Sequence, residues 1–233
     1  MTPPFVCVLK SGGRYTPEHV LELAAHIRRF HPSFRLICLS DVPVTGMNIE
    51  TVPLQHNLQG WFSKLEVFAL AEPRFLYLDL DTLVTAPVDL SLGAGLFVLR
   101  DFDVGAVNSS VMYVDGNFKY VLDAFLSDPV AFTQEYSVPE KWGDQDFIRD
   151  NATISGFFQD LMPGFALSWK RDLNYQLGPI KKPPAILVFH GNPKPGDLNI
   201  GFDSGGTLHV NSLRYLPKFL IKCLLLRLSR KKK

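Results

Sequence analysis

Cysteine is scarce in this chain, which has only three among its 233 residues: Cys7, Cys38 and Cys223. They lie far apart, form no C-x-x-C pair and have no histidine at the spacing of a zinc finger. This pattern argues against a disulfide-stabilised scaffold and against a structural zinc site. Because Cys7 and Cys38 lie inside apolar runs, we expect buried, reduced side chains and a cytoplasmic protein.

Long hydrophobic runs are also missing. Within the C-terminal segment the longest uninterrupted apolar stretch is residues 223–226, far below the roughly 18 residues of a membrane-spanning helix. The N-terminus lacks a basic region followed by a long apolar stretch, so no signal peptide is predicted. Residues 216–233 mix large apolar and basic side chains, which suits either peripheral binding to an anionic membrane surface on its inner face or a helix packed on the body.

The body of the chain has no strong excess of positive or negative charge. The net charge is +1, but residues 218–233 contain seven Lys or Arg and no acid, which leaves 17 basic and 23 acidic residues elsewhere. A body without a basic stripe does not indicate nucleic-acid binding. With 46% apolar and 20% charged residues, the composition predicts one globular domain over residues 1–212 and a basic, apolar tail over residues 213–233.

Apolar periodicity predicts that the chain opens with a β-α-β unit. Residues 5–10 form a β-rich apolar run, and residues 34–39 form a second one. Between them, Thr16 and Pro17 suit the start of a helix that Pro32 ends. Such a crossover favours a parallel sheet with ligands at the carboxyl ends of its strands.

The same analysis places the remaining elements less sharply. It predicts further strands at 48–52, 75–78, 95–99, 111–114 and 186–190, and helices at 61–71, 117–126 and 144–150. Residues 191–206, rich in Gly, Pro, Asn and Asp, are predicted to be loop. The fold class is therefore α/β, with a Rossmann-like, mixed but mostly parallel sheet flanked by helices.

The strongest chemical feature is the segment FLYLDLDTLV, in which an apolar strand runs into Asp79 and Asp81. Side chains alternate along a strand, so both carboxylates are expected on the same side. Their repulsion would be relieved by a divalent cation, and carboxylate oxygens suit Mg²⁺ or Mn²⁺ that also binds phosphate oxygens.

Two further segments place polar residues after apolar strands or at a helix start. VFHGNPKPGD brings His190, an imidazole that Mn²⁺ accepts, and Lys194, a point charge suited to a diphosphate. KWGDQDFI opens a predicted helix with Asp144 and Gln145, where helix capping alone would also explain an acid.

Together with Asn108-Ser109-Ser110, a polar cluster suited to sugar hydroxyls, these motifs carry a family resemblance. Over roughly residues 5–197 the chain resembles the retaining glycosyltransferases of family 8, the group of glycogenin and the bacterial lipopolysaccharide galactosyl- and glucosyltransferases, which have the GT-A fold. The motifs that carry it, in order, are Tyr15 after the first strand, WFSKLEVF, YLDLDTLV, VNSSVMYV, GDQDFI, RDLNYQ and HGNPKP. The resemblance implies metal-dependent hexose transfer, with retention, from a nucleotide diphosphate sugar such as a UDP-sugar to a saccharide, glycolipid or protein acceptor.

The resemblance also implies a role for each matching residue. Asp79, Asp81 and His190 would bind Mn²⁺ or Mg²⁺. Asp144, with Gln145 beside it, would be the catalytic carboxylate at the anomeric carbon. The donor-binding residues would be Tyr15, which stacks on the nucleobase, and Lys64, Asp79, Asn108, Ser109, Gly191, Asn192 and Lys194.

Two other interpretations stay open at this point. DLDTLV also resembles the haloacid-dehalogenase phosphatase signature, although Leu83 stands where that signature has Thr or Val. A domain that binds a nucleotide sugar or carbohydrate without turnover is the other, because Gly12 and Gly196 replace an Asp and a Trp that are usual in the resembling family.

Overall fold

The computed structural model describes residues 3–104 and 106–212. The strands in these residues are β1 (Phe5–Leu9), β2 (Leu36–Ser40), β3 (Ile49–Pro53), β4 (Arg74–Leu78), β5 (Thr82–Val84), β6 (Gly95–Arg100), β7 (Val107–Asp115), β8 (Gly156–Phe157), β9 (Ala166–Ser168), β10 (Gly178–Ile180), β11 (Ile186–Val188), β12 (Leu198–Phe202) and β13 (Leu208–Ser212). The helices are α1 (Pro17–Phe30), α2 (Lys119–Ser127), α3 (Pro129–Tyr136), α4 (Asp144–Asn151), α5 (Phe158–Leu161) and the 3₁₀ helices Gly60–Ala69 and Pro195–Asp197.

The main sheet has seven strands in the order β3-β2-β1-β4-β7-β6-β8. β1 pairs in parallel with both β2 and β4, and β2 pairs in parallel with β3. β7 runs antiparallel to β4 and β6. The sheet is therefore mixed but mostly parallel, as predicted, and β4 lies at its centre.

The predicted β-α-β opening is confirmed. Thr16 is the N-cap of α1, Pro17 lies in its first turn, and the C-cap is His31, directly before Pro32. Val20, Leu23, Ala24 and Ile27 form the buried face of the helix. This repeat packs α1 against one face of the sheet and leaves the ends of β1 and β2 free to shape a site.

Two apolar cores cover the two faces of the main sheet because side chains alternate along each strand. Phe5, Cys7 and Leu9 of β1 face the core that contains α1. Val6 of the same strand faces the other core, which contains the first 3₁₀ helix, α2 and α4. Cys7 and Cys38 are buried free thiols, as expected.

The prediction of an α-helix over residues 61–71 was wrong in helix type. Gly60–Ala69 is a 3₁₀ helix, and seven consecutive residues, from Phe62 to Phe68, are buried. They include Lys64 and Glu66, at 6% and 4% exposure. A 3₁₀ helix repeats every three residues, so the apolar face expected from an α-helical period does not describe this segment.

The prediction that residues 191–206 are loop was also wrong in part. β12 lies inside this segment and pairs with β13, which follows it, so the body does not end in a loop before the tail. Strands β10, β13 and β12 form one small sheet, and β5, β11 and β9 form another. Strands β10, β12 and β13 were missed because Gly, Pro or Asn interrupts their short apolar patterns, and β5 and β9 were missed because each has only three residues.

Among the described residues, no helix has both the length and the apolarity to cross a membrane. The predicted membrane-binding segment, residues 216–233, lies outside the described residues.

Candidate active site

A cavity of about 1220 Å³ lies at the carboxyl ends of the central strands. This is ample for a nucleotide-sized ligand, since ligand pockets are typically about 300–1,000 Å³. It brings together most of the residues predicted from sequence: Tyr15, Lys64, Asp79, Asp81, Asn108, Asp144, Gln145, His190, Gly191 and Lys194. Ser109 and Asn192 are the two predicted residues outside this lining.

Asp79 and Asp81 lie in a tight turn rather than on the strand itself. β4 ends at Leu78, and the backbone N–H of Thr82 donates to the Asp79 carbonyl at 3.0 Å. The Thr82 hydroxyl donates to the same carbonyl at 2.7 Å. The two carboxylates therefore come together through this turn and not, as predicted, through strand alternation.

Lys64 lies between two carboxylates. Its Nζ is 3.0 Å from Asp79 Oδ1 and 3.0 Å from Asp144 Oδ2. It also donates to Ser109 Oγ at 2.9 Å. Burial lowers the pKa of Lys64, but the Asp144 and Asp79 carboxylates outweigh burial, so the pKa is raised and the amine stays charged.

Asp144 is almost fully buried at 4% exposure. Burial raises its pKa, the charge of Lys64 opposes this, and the charge of Asp79 adds to it. Ser109 Oγ donates to Asp144 Oδ2 at 2.6 Å, and the Ser109 N–H donates to Gln145 Oε1 at 3.2 Å. Ser109, itself fully buried, thus holds both members of the predicted catalytic pair.

A glycine sets the entry into the helix that carries Asp144. Gly143, the N-cap of α4, has φ 61° and ψ −127°. A Cβ at this position would lie 2.1 Å from Trp61 Nε1. Trp61 is itself 58% exposed and lines the cavity, so the backbone of Gly143 and the indole ring share one small space.

We expect Gly143→Ala to cost about 1–3 kcal/mol of unfolding free energy, because the backbone conformation is unfavourable for a residue with a Cβ. It should also reduce turnover by moving Trp61 and Asp144. Denaturant unfolding and an activity assay would measure both effects. Gly93→Ala is the matched control, since its Cβ meets nothing within 4 Å; equal effects in the two variants would contradict this account.

Asp81 has two partners. Its carboxylate forms an ion pair with Lys194 Nζ, and the Tyr15 hydroxyl lies near enough to lower the pKa of Asp81. Burial and the charge of Asp79 raise the Asp81 pKa, and Lys194 opposes the rise. Burial together with Asp81 and Asp79 raises the pKa of Tyr15. The predicted base-stacking tyrosine thus contacts the predicted metal site through its hydroxyl.

His190 lies in the cavity wall. Its Nε2 is 2.8 Å from Ser168 Oγ, and its ring stacks on Phe102 with centroids 5.4 Å apart. Burial and the charge of Lys170 lower the His190 pKa, which favours the neutral imidazole that a metal would require.

The described residues present no group of three His, Cys, Asp or Glu side chains placed to hold a metal ion. The two carboxylates nevertheless have the donor chemistry for Mn²⁺ or Mg²⁺, and burial together with the charge of Asp79 raises the pKa of Asp81. The pair therefore fits a divalent cation, whereas His190 is a cavity neighbour engaged with Ser168.

Asn108 lies inside β7, which begins at Val107, and not before the strand as predicted. Its Oδ1 accepts from the Ser110 N–H at 3.0 Å, and its Nδ2 donates to Asp101 Oδ2 at 3.2 Å. Asn192 Oδ1 accepts from Arg14 Nη1 at 2.8 Å. Asn108 thus lines the cavity, and hydrogen bonds to Ser110 and Asp101 hold its side-chain amide.

Sequence reasoning missed several cavity residues: Arg14, Trp61, Tyr77, Asp101, Trp142 and Lys170. The Tyr77 hydroxyl donates to Asp79 Oδ1 at 2.6 Å, and its place two residues before Asp79 was a usable signal. Lys170 follows β9, a strand that was not predicted. Burial lowers its pKa to about 8, and the charge of Lys194 adds to this effect.

Comparisons with known proteins agree with this architecture. The apo form of the glycosyltransferase GlyE from Streptococcus pneumoniae TIGR4 superposes with a TM-score of 0.60 at 18% identity, over 83% of this chain and 56% of that one. The galactosyltransferase LgtC, in complex with donor and acceptor sugar analogues, gives a TM-score of 0.56 at 16% identity, over 82% and 88%. The chain thus spans little more than half the length of the GlyE structure.

No protein-family model matches the sequence, and a search of curated proteins gives no match either. At such low identities the structural likeness establishes the fold. The chain has the GT-A fold of glycosyltransferases, as its sequence motifs predicted.

Proposed function

We propose that this protein is a metal-dependent glycosyltransferase that moves a hexose from a nucleotide diphosphate sugar, such as a UDP-sugar, to a saccharide, glycolipid or protein acceptor. One observation carries the proposal. On a GT-A fold, a carboxylate pair, a buried lysine–carboxylate network and a lysine beside Asp81 line a single cavity.

Asp79 and Asp81 would hold Mn²⁺ or Mg²⁺ together with oxygens of the donor diphosphate. His190, whose Nε2 is bonded to Ser168 Oγ in the structure, would join them as a ligand only after turning from Ser168 towards the bound ion. The bound cation would supply Lewis-acid stabilisation of the negative charge on the leaving nucleoside diphosphate. Lys194 would bind the same diphosphate, because its ammonium group already lies beside Asp81. Tyr15 would pack against the nucleobase.

Asp144 is the residue that we assign to the anomeric carbon. Lys64 and Ser109 hold its carboxylate from two sides, so its position does not depend on the substrate. Burial raises the pKa of Asp144 and the charge of Lys64 opposes the rise. In its ionised form Asp144 would stabilise positive charge that develops on the sugar. The same geometry would serve retention of configuration, which the family resemblance implies.

The test begins with a thermal-shift screen of nucleotide sugars with and without Mn²⁺. A nucleotide sugar at 100 times its dissociation constant should raise the melting temperature by about 5–10 °C, because a ligand that binds only the native state stabilises it. The shift should require the metal. The nucleotide sugar identified in this way is then incubated with the protein, and release of nucleoside diphosphate is measured.

Each result has a distinct meaning. Metal-dependent binding with release of nucleoside diphosphate supports the transferase. Binding without release supports a binding domain without turnover, and no binding of any nucleotide sugar contradicts the proposal. The phosphatase alternative lacks support from the fold, since the Asp79 turn follows the fourth strand of a GT-A sheet and not the first.

A further inference from the structure

Two lysine side chains meet the same short stretch of backbone beside the carboxylate pair. Lys194 Nζ donates to the carbonyl of Phe189 at 3.3 Å, and Lys170 Nζ donates to the carbonyl of the next residue, His190. Both lysines line the cavity. Two ammonium groups therefore donate to consecutive backbone carbonyls in the region of Asp81.

The backbone around Lys170 is firmly placed. β9 pairs in parallel with β11, with Ser168 opposite Val188, so Lys170 and His190 leave the small sheet at the same edge. Ser168 Oγ accepts hydrogen bonds from the N–H groups of Lys170, at 3.2 Å, and Arg171, at 3.0 Å. This turn directs the Lys170 side chain across the end of β11.

Gly191 leaves room for the amine. A Cβ at position 191 would lie 2.8 Å from Lys170 Nζ, and Gly191 has φ 65°, a conformation that favours glycine. A larger residue would push the amine out of the cavity wall. The family resemblance had suggested only that the backbone at Gly191 approaches the diphosphate; the structure adds that this position also admits Lys170.

The two lysines differ in whether a carboxylate pairs with their positive charge. Lys194 forms an ion pair with Asp81. Lys170 is 7% exposed, and among the described residues no salt bridge includes it, since its hydrogen bond goes to a neutral carbonyl. The Asp81 and Asp103 carboxylates favour the charged amine only from beyond ion-pair distance, so a ligand that carries negative charge would stabilise this second buried positive charge next to Lys194.

We propose that Lys170 is a second donor-binding lysine, which pairs with Lys194 to hold the diphosphate of the nucleotide sugar. This inference rests on the proposed function and extends it to a residue outside the recognised motifs. A carboxylate pair for the cation and a lysine pair for the diphosphate then lie side by side, and a metal–diphosphate complex neutralises both.

Titration calorimetry with inorganic pyrophosphate in the presence of Mg²⁺ tests this without knowledge of the nucleobase. We expect Lys170→Gln to weaken binding about 10- to 100-fold, because a charged hydrogen bond is lost. Lys170→Arg should bind pyrophosphate more tightly than Lys170→Gln, because the positive charge is kept. Lys182→Gln, which removes an exposed lysine outside the cavity, is the matched control and should bind as the wild type does.

The glutamine variant separates ligand binding from a structural role. Glutamine retains an N–H donor for the His190 carbonyl but carries no charge. Wild-type affinity in Lys170→Gln would therefore show that Lys170 only supports the backbone, and it would overturn the inference. The transferase proposal would not be affected by that result. A wild-type protein that does not bind pyrophosphate would overturn it as well. Release of nucleoside diphosphate from a nucleotide sugar tests the proposed function separately.

If Lys170→Gln does not fold, amine labelling of the wild-type protein gives the answer. Pyrophosphate should protect Lys170 and Lys194 from reductive methylation, measured by mass spectrometry, whereas sodium chloride at equal ionic strength should not. Protection of Lys194 alone would overturn the inference.

Discussion

Replacing Asp81 with Asn should lower turnover by about 1,000-fold or more, because one of the two carboxylates that we assign to the metal is lost and charge stabilisation at a leaving group is commonly worth several kcal/mol. Binding of the nucleotide sugar should lose its dependence on Mn²⁺. The melting temperature should change little, because the lost ion pair with Lys194 is offset by relief of the burial cost and of the Asp79 repulsion, which together raise the pKa of Asp81.

Nucleoside diphosphate release and thermal unfolding, each with and without Mn²⁺, measure these effects. Chelation of the wild-type protein should reproduce the loss and added Mn²⁺ should reverse it. Asp123→Asn is the control, since Asp123 lies in an exposed pair with Lys119 and exposed pairs contribute little. Full activity of Asp81→Asn in a metal-free assay would rule out the metal-dependent mechanism.

Lys64→Met should cause the largest loss of stability, about 3–5 kcal/mol of unfolding free energy, because it leaves buried carboxylates without their cation. Lys64 contacts Asp79 and Asp144 with only 8% of its side chain exposed. Turnover should fall as well, since the carboxylate assigned to the anomeric carbon would lose its position. Denaturant unfolding at pH 7 and the nucleoside diphosphate assay measure the two losses.

The loss of stability in Lys64→Met should depend on pH, and the direction of this dependence follows from the pKa of Asp144. Burial and Asp79 raise the pKa of Asp144, and Lys64 opposes the rise. Without Lys64 the pKa of Asp144 should rise further, and the folded state then takes up a proton more readily than the unfolded state. The stability difference between Lys64→Met and the wild type should therefore shrink as pH falls from 7 to 5.

Two companion variants check the physical cause. Adding Asp144→Asn to Lys64→Met should restore part of the stability, because one buried charge is removed, but not the activity. Lys119→Met removes one partner of an exposed pair and should cost less than about 1 kcal/mol. A loss in Lys64→Met that is no larger than in Lys119→Met would show that the buried network is not what stabilises this region.

Much of the site was predictable because its residues sit at the ends of strongly apolar strands. The run before Asp79 predicted a central strand, and β4 is central. His190 and Lys194 were placed in the same cavity from a second apolar run. The local geometry was predicted wrongly. The two acids lie in a turn, and the helix of Lys64 is a 3₁₀ helix, since tertiary packing outweighs a period read from eleven residues.

The sequence by itself determined the fold class and the cavity's carboxylates, because apolar periodicity and short polar segments are local properties of the chain. Only the tertiary structure decided how charges are paired. Lys64 lies 80 residues before Asp144 in the sequence, and Lys170 meets the backbone at His190 through the pairing of β9 with β11. Such contacts depend on strand order and burial, which bring distant residues together and which no local pattern records.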